Sequence, residues 1–140
     1  MSYIIKSPSF NNYQFNVDTA NFAKQAVSTT IVGYSGTEID YTPSSGASKV
    51  IYEVNLDMSW HPDGAGSYPH TRVQYSNDNG ASWNTISGTE LTEGTNSSQV
   101  DYDYMNLNYT FTLDAWTGSR KIRLAGRCYH SSSEFNIGYQ

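Results

Sequence analysis

The stretch Lys49–Trp60, KVIYEVNLDMSW, constrains this chain more than any other. Val50, Tyr52, Val54, Leu56, Met58 and Trp60 are apolar, and of the residues between them only Ile51 is not polar. Side chains on a strand point to alternate faces, so this period of two describes one long strand with a buried even face and a wet odd face. A helix would scatter the same six apolar residues around its circumference. The segment predicts the core of a sandwich or barrel, and it carries no catalytic signature.

The composition fits that reading. The chain has 140 residues, enough for one domain with a real core. Only 15% of residues are charged, while twelve Tyr, five Phe and three Trp are available to fill pleated faces. The formal net charge is −5, and an acidic surface repels phosphate backbones, which argues against nucleic acid as a partner. One cysteine, Cys128, allows no intrachain disulfide. No apolar run approaches the roughly 18 residues of a membrane span. The first residues, MSYIIKSPSF, do not read as a signal peptide. Asn96-Ser97-Ser98 and Asn108-Tyr109-Thr110 match the N-glycosylation pattern, which without a leader is read as chance.

Taken in order, residues 1–27 differ in character from the rest of the chain. Tyr13, Phe15 and Val17 alternate with Gln14 and Asn16 as a short strand, and Asp18 is placed to cap a short helix over residues 19–27. Two readings stand open: an extra strand and turn packed on the domain, or an arm that docks onto another subunit. From Ser28 strands and turns alternate: 30–34, 37–41, 49–60, 71–75 with Val73 and Tyr75 inward, then Val100 to Leu113. HPDGAGSYP, after Trp60, is a long loop by composition. The apolar set changes parity between Tyr104 and Met105, which predicts a bulge or corner there. Ile122, Leu124, Gly126 and Cys128 face inward on the next strand, with Lys121, Arg123 and Arg127 outward, and a last strand covers 134–139. The expected fold is all-β, a two-sheet antiparallel β-sandwich or jelly roll of about eight or nine strands. Residues 28–140 form the sandwich domain and residues 1–27 an N-terminal arm.

Ser76-Asn77-Asp78-Asn79-Gly80-Ala81-Ser82-Trp83 resembles the Asp-box of sialidases and other β-proteins. The resemblance implies a structural hairpin: Asp78 accepts hydrogen bonds from turn amides, Gly80 supplies positive φ, and Trp83 packs beneath. A single copy does not make a sialidase propeller.

The chain carries no nucleotide loop, no GxSxG and no Cys/His metal spacing, so no enzymatic activity, cofactor or metal is expected. His61, His70 and His130 fall in three different turns, and Asp57, Asp101 and Asp103 on outward strand faces without the paired geometry of a glycosidase. Cys128 reads as a small core residue. Trp60, His61, Tyr68, Trp83, Trp116 and Tyr129 sit at strand ends or in loops, where aromatic rings either plug the sandwich or stack on sugar faces.

Three segments together resemble small structural proteins of tailed bacteriophages, especially marine and cyanobacterial phages. They are GTEIDYTPSSGASKVIYEVNL (Gly36 to Leu56), YTFTLDAW (Tyr109 to Trp116) and RKIRLAGRCYHSSSEFNIG (Arg120 to Gly138). The resemblance covers residues 29–140. It implies a virion protein, a fibre knob or decoration domain, usually trimeric, bound to capsid or tail proteins. Its outer loops, 61–70, 87–98 and 130–133, would touch host surface glycan. Ile4, Ile5, Phe10, Tyr13 and Phe15 would anchor it. The Asp-box-like hairpin and the near absence of a shaft depart from the pattern, which favours a short fibre, tail component or capsid-bound knob. The alternative is a carbohydrate-binding module with exposed Trp and Tyr platforms.

Overall fold

The computed structural model describes residues 2–6, 13–17, 25–61, 69–92, 103–128 and 134–137. The described residues form strands and turns, with no helix. The strands are β1 (Ser2–Lys6), β2 (Tyr13–Val17), β3 (Gln25–Val27), β4 (Val32–Gly33), β5 (Ile39–Tyr41), β6 (Lys49–His61), β7 (Pro69–Ser76), β8 (Asn84–Thr85), β9 (Leu91–Thr92), β10 (Asp103–Asp114), β11 (Arg120–Cys128) and β12 (Glu134–Ile137). They make two antiparallel sheets packed face to face, the two-sheet β-sandwich expected from the sequence.

The first sheet is built on β6. One edge pairs with β10 in an unbroken register from Asp114↔Lys49 to Asp103↔Trp60. The other edge is shared by β1, opposite residues 51–55, and β12, opposite residues 58–61. β2 extends β1, and β3 extends β12. The second sheet is built on β11, with β4 and β5 on one side and β7 on the other, and with β8 and β9 beyond β7.

The even face of β6 is buried as its period of two requires: Val50, Tyr52 and Leu56 are fully covered, and Val54 and Met58 nearly so. The register puts Leu113, Phe111, Tyr109 and Leu107 of β10 on the same face. Val73, Ile122, Leu124, Ile39 and Cys128 close the core from the second sheet. The stacked rings of Tyr52, Phe111 and Tyr109, with centroids 6.4 and 6.0 Å apart, form its centre. Tyr52 and Thr37 bring polar groups into the core, and these are bonded. Tyr52 Oη donates to Thr37 O at 2.7 Å, and Thr37 Oγ1 donates to Tyr34 O at 2.7 Å and accepts from Leu124 N at 3.1 Å. Cys128, expected in the core, is buried with its thiol on Val27 O at 3.1 Å.

Several expectations change. The helix proposed for 19–27 ends instead in strand β3, and residues 18–24 lie outside the described residues. A helix this short is marginal alone, whereas Val27 gains a sheet partner in Phe135 and is buried. No bulge interrupts β10 at Tyr104–Met105, because the strand begins at Asp103 and its alternation is uniform from there. The same register pairs Asp103 with Trp60 rather than setting it on the outward parity, and Asp101 lies outside the described residues. His61 ends β6 and His70 is the second residue of β7, so neither is in a turn, and His130 lies outside the described residues. The strand expected over 30–34 shrinks to Val32–Gly33, and of the last strand Glu134–Ile137 is described, residues 138–139 lying outside the described residues. Tyr75 keeps its inward parity but is only half-buried at the sandwich end.

The described parts of 1–27 are strands of the first sheet rather than a segment apart from it. Ile4 pairs with Glu53 and Phe15, while Ile5 pairs with Tyr52 and Gln14, so these two anchor candidates have opposite parity. Tyr13 pairs with Lys6, and Phe10 lies outside the described residues.

Candidate functional site

The topology sorts the four described candidate contact residues between opposite ends of the sandwich. β7 and β11 finish and start at Ser76↔Lys121, and β10 and β6 at Asp114↔Lys49. That end carries the connections 42–48, 77–83 and 115–119, and with them Trp83 and Trp116. Trp60 and His61 close β6 at the other end. Tyr68 and Tyr129 lie outside the described residues, adjoining Pro69 and Cys128, which pair with each other at that same end.

Trp116 stands at the wall of a cleft of about 410 Å³. Residues on two turns line it: Thr42, Ser44 and Ser45 on one, Thr117 and Gly118 on the other. Each turn carries a glycine with positive φ, Gly46 at 81° and Gly118 at 80°, a conformation that a Cβ would strain. Ala115 N donates to Ser48 O at 3.1 Å and ties the turns together. Trp116 is half-buried, meets Tyr41 edge-on with centroids 6.1 Å apart, and donates from Nε1 to Tyr41 O at 3.3 Å. Arg120 holds its guanidinium 5.5 Å from the Trp116 ring and 4.8 Å from the Tyr75 ring. The indole thus both plugs the sandwich end and presents a wall beside hydroxyl-bearing turns, a combination suited to a sugar ring.

The Asp78 turn is built of its own hydrogen bonds. Asp78 accepts from the Ser82 amide at 2.9 Å and from the Ser82 and Ser76 hydroxyls. The amides of Asp78 and Gly80 donate to Ser76 Oγ at 3.2 and 2.8 Å. Gly80 has φ 92° and Asn79 φ 58°. The hydroxyls of Ser76 and Ser82, then the Ser82 amide, hold the Asp78 carboxyl down at about 2. Three donors of the turn itself engage the carboxylate, which makes it a staple.

A second feature was only half legible in the sequence. Leu124, Ile122 and Cys128 face the core, so the odd residues of β11 face out, opposite the even residues of β7. The pairs are Arg127↔His70, Ala125↔Arg72, Arg123↔Gln74 and Lys121↔Ser76. Four of the chain's eight Lys and Arg therefore share one face: Arg72, Lys121, Arg123 and Arg127. Lys121 is held by Glu38 and Asp40, both at 3.0 Å, which raise its pKa. Arg123 lies over the Trp83 ring at 3.7 Å and donates from Nε and Nη2 to Gln74 Oε1 at 3.1 and 2.9 Å. The alternation of RKIRLAGR pointed to the β11 half. Arg72 was missed, and His70 was read only as one of three scattered histidines, because only cross-strand register brings them beside Arg127.

The outward face of the first sheet is different in kind. Asn55, Asn106, Asn108 and Asp57 form a ladder, with Asn106 Nδ2 donating to Asp57 Oδ1 at 2.8 Å and to Asn55 Oδ1 at 3.1 Å. No group of three or more metal-ligating side chains occurs among the described residues. No family profile, curated protein or solved structure matches the chain.

Proposed function

We propose that this chain is a non-enzymatic structural protein of a tailed-phage virion, a short-fibre knob, capsid decoration or tail component that assembles with copies of itself. The observation that carries the reading is strand β10. From Tyr104 to Leu113 it has no charge, no proline and no glycine. It runs on β6 without a bulge, and β6 is its one strand partner among the described residues. Natural sheets blunt such an edge with lysine, proline or a bulge. An edge kept long, regular and uncharged is suited to cover by a neighbouring chain, which an oligomer or a particle surface supplies. The likeness of residues 29–140 to phage knob domains supports a trimer.

Light scattering after size exclusion tests this. A trimer is expected, and Thr110→Lys with Thr112→Lys should shift it toward monomer while circular dichroism stays unchanged. A wild-type monomer at micromolar concentration would sink the reading. Attachment through residues 1–27 is better tested by Ile4→Glu and Phe15→Glu than by deletion, since removing β1 uncovers β6. Full incorporation of both variants into particles would refute the anchor.

The cleft beside Trp116 favours a second reading, a carbohydrate-binding module. That reading requires a monomer that binds polysaccharide and loses binding on Trp116→Ala.

A further inference from the structure

We infer that the outward face of the second sheet is a binding site for the oxyanion groups of an acidic glycan, with Arg72 and Arg127 as the anion-holding residues. The inference does not depend on the virion reading. Cations are scarce in this chain, eight against thirteen carboxylates, yet four of them gather on one sheet face. Two of the four are committed, Lys121 to Glu38 and Asp40, and Arg123 to Trp83 and Gln74. Among the described residues, Arg72 and Arg127 are not. Both are half-buried, their Nε atoms are buried without a hydrogen-bond partner, and neither pairs with a carboxylate among the described residues.

The geometry between them is that of a receiving site. Arg127 stands directly opposite His70, and Arg72 is two residues further along the same strand as His70. Directly opposed and alternate residues on one face are about 5 to 7 Å apart. Opposite Arg72 stands Ala125, so no large side chain of β11 separates Arg72 from Arg127, while the Arg123 side chain lies over Gly33 beyond it. Ala125 has no exposure despite its outward parity, which fits arginine stems lying across it. His70 takes a hydrogen bond with Thr92 Oγ1 at 3.3 Å, and burial, then Arg127 and Arg72, lower its pKa, so it serves this site as a neutral partner.

Guanidinium groups bind carboxylate and sulfate by paired hydrogen bonds. The neighbours select a sugar rather than a bare phosphate. The same face continues past the buried Gln74, which holds Arg123, to Thr85 and the half-exposed Trp83, giving hydroxyl and indole in line with the cations. The overall charge of −5 disfavours the dense phosphate array of nucleic acid.

The test is binding of the full chain to immobilised polygalacturonate, dextran sulfate, neutral dextran and a DNA duplex. Binding to one or both acidic polysaccharides, salt-sensitive and absent with neutral dextran, is expected. Arg72→Gln and Arg127→Gln should each weaken it roughly ten- to a hundredfold, while Lys49→Gln on the other sheet leaves it unchanged. Thr92→Glu, an exposed strand position bonded to His70, should do the same by repulsion without touching the arginines, which covers the case of an arginine variant that does not fold. The inference is overturned by no preference for acidic over neutral dextran, by full binding in the arginine and Thr92→Glu variants, or by tighter binding to the duplex.

Discussion

Replacing Gly126 with alanine probes how tightly the second sheet is closed. A Cβ at this position would lie 1.9 Å from Tyr34 Oη, 2.7 Å from Tyr34 Cζ and 2.6 Å from the His70 carbonyl oxygen. Tyr34 cannot swing aside into solvent, because it is only 2% exposed. Its amide donates to Leu124 O at 2.9 Å, and its hydroxyl shares a 2.9 Å hydrogen bond with the fully buried Thr71. Moving the phenol therefore adds overpacking, about 1–3 kcal/mol, to a buried hydroxyl left unsatisfied, about 1–3 kcal/mol. The sum, about 2–6 kcal/mol, is a large part of the roughly 5–15 kcal/mol that holds a domain folded. Urea unfolding of Gly126→Ala, Tyr34→Phe and the double variant forms a cycle. Tyr34→Phe removes the atom nearest the new Cβ, so the double variant should be more stable than the two single losses predict. An unchanged urea midpoint for Gly126→Ala, or strict additivity in the cycle, would refute the reasoning.

The same geometry sets three further outcomes. Gly33→Ala first meets the long side chain of Arg123, at 2.6 to 2.8 Å, rather than backbone, so it should cost less than Gly126→Ala yet lift Arg123 from Trp83 and shift the tryptophan fluorescence. Asp78 titrates near 2 in the fold against an ordinary 3.8, so its contribution is complete above that ordinary value and lost as pH falls toward 2, which acceleration of Ser82 amide exchange over that range would report. His70 titrates below the ordinary 6.5, so the unfolded chain takes up its proton first and stability declines as pH drops below that value; Arg127→Gln should raise the His70 midpoint measured by NMR.

The sequence was most legible where one strand states its own pattern. The even residues of β6 are buried, and the Ser76–Trp83 turn has the internal hydrogen bonds its residues implied. Features that arise only when strands meet were not legible. Residues 100–104 suggested a change of parity, but the register of β10 on β6 starts cleanly at Asp103. The cationic face joins the HTR of β7 to the RKIRLAGR of β11, segments that a linear reading keeps fifty residues apart. The aromatic candidates read as one group until the strand ends divided them between two ends.

One edge of β6 holds a further consequence. Ile137 of β12 pairs with Met58 and Ser2 of β1 with Asn55, and both strands run antiparallel to β6. The head of one strand therefore points at the tail of the other, separated along that edge by the positions opposite Leu56 and Asp57. The two strands thus act as one interrupted strand, covering residues 51–55 and 58–61 of that edge, so the core strand is held on both sides by segments far apart in sequence.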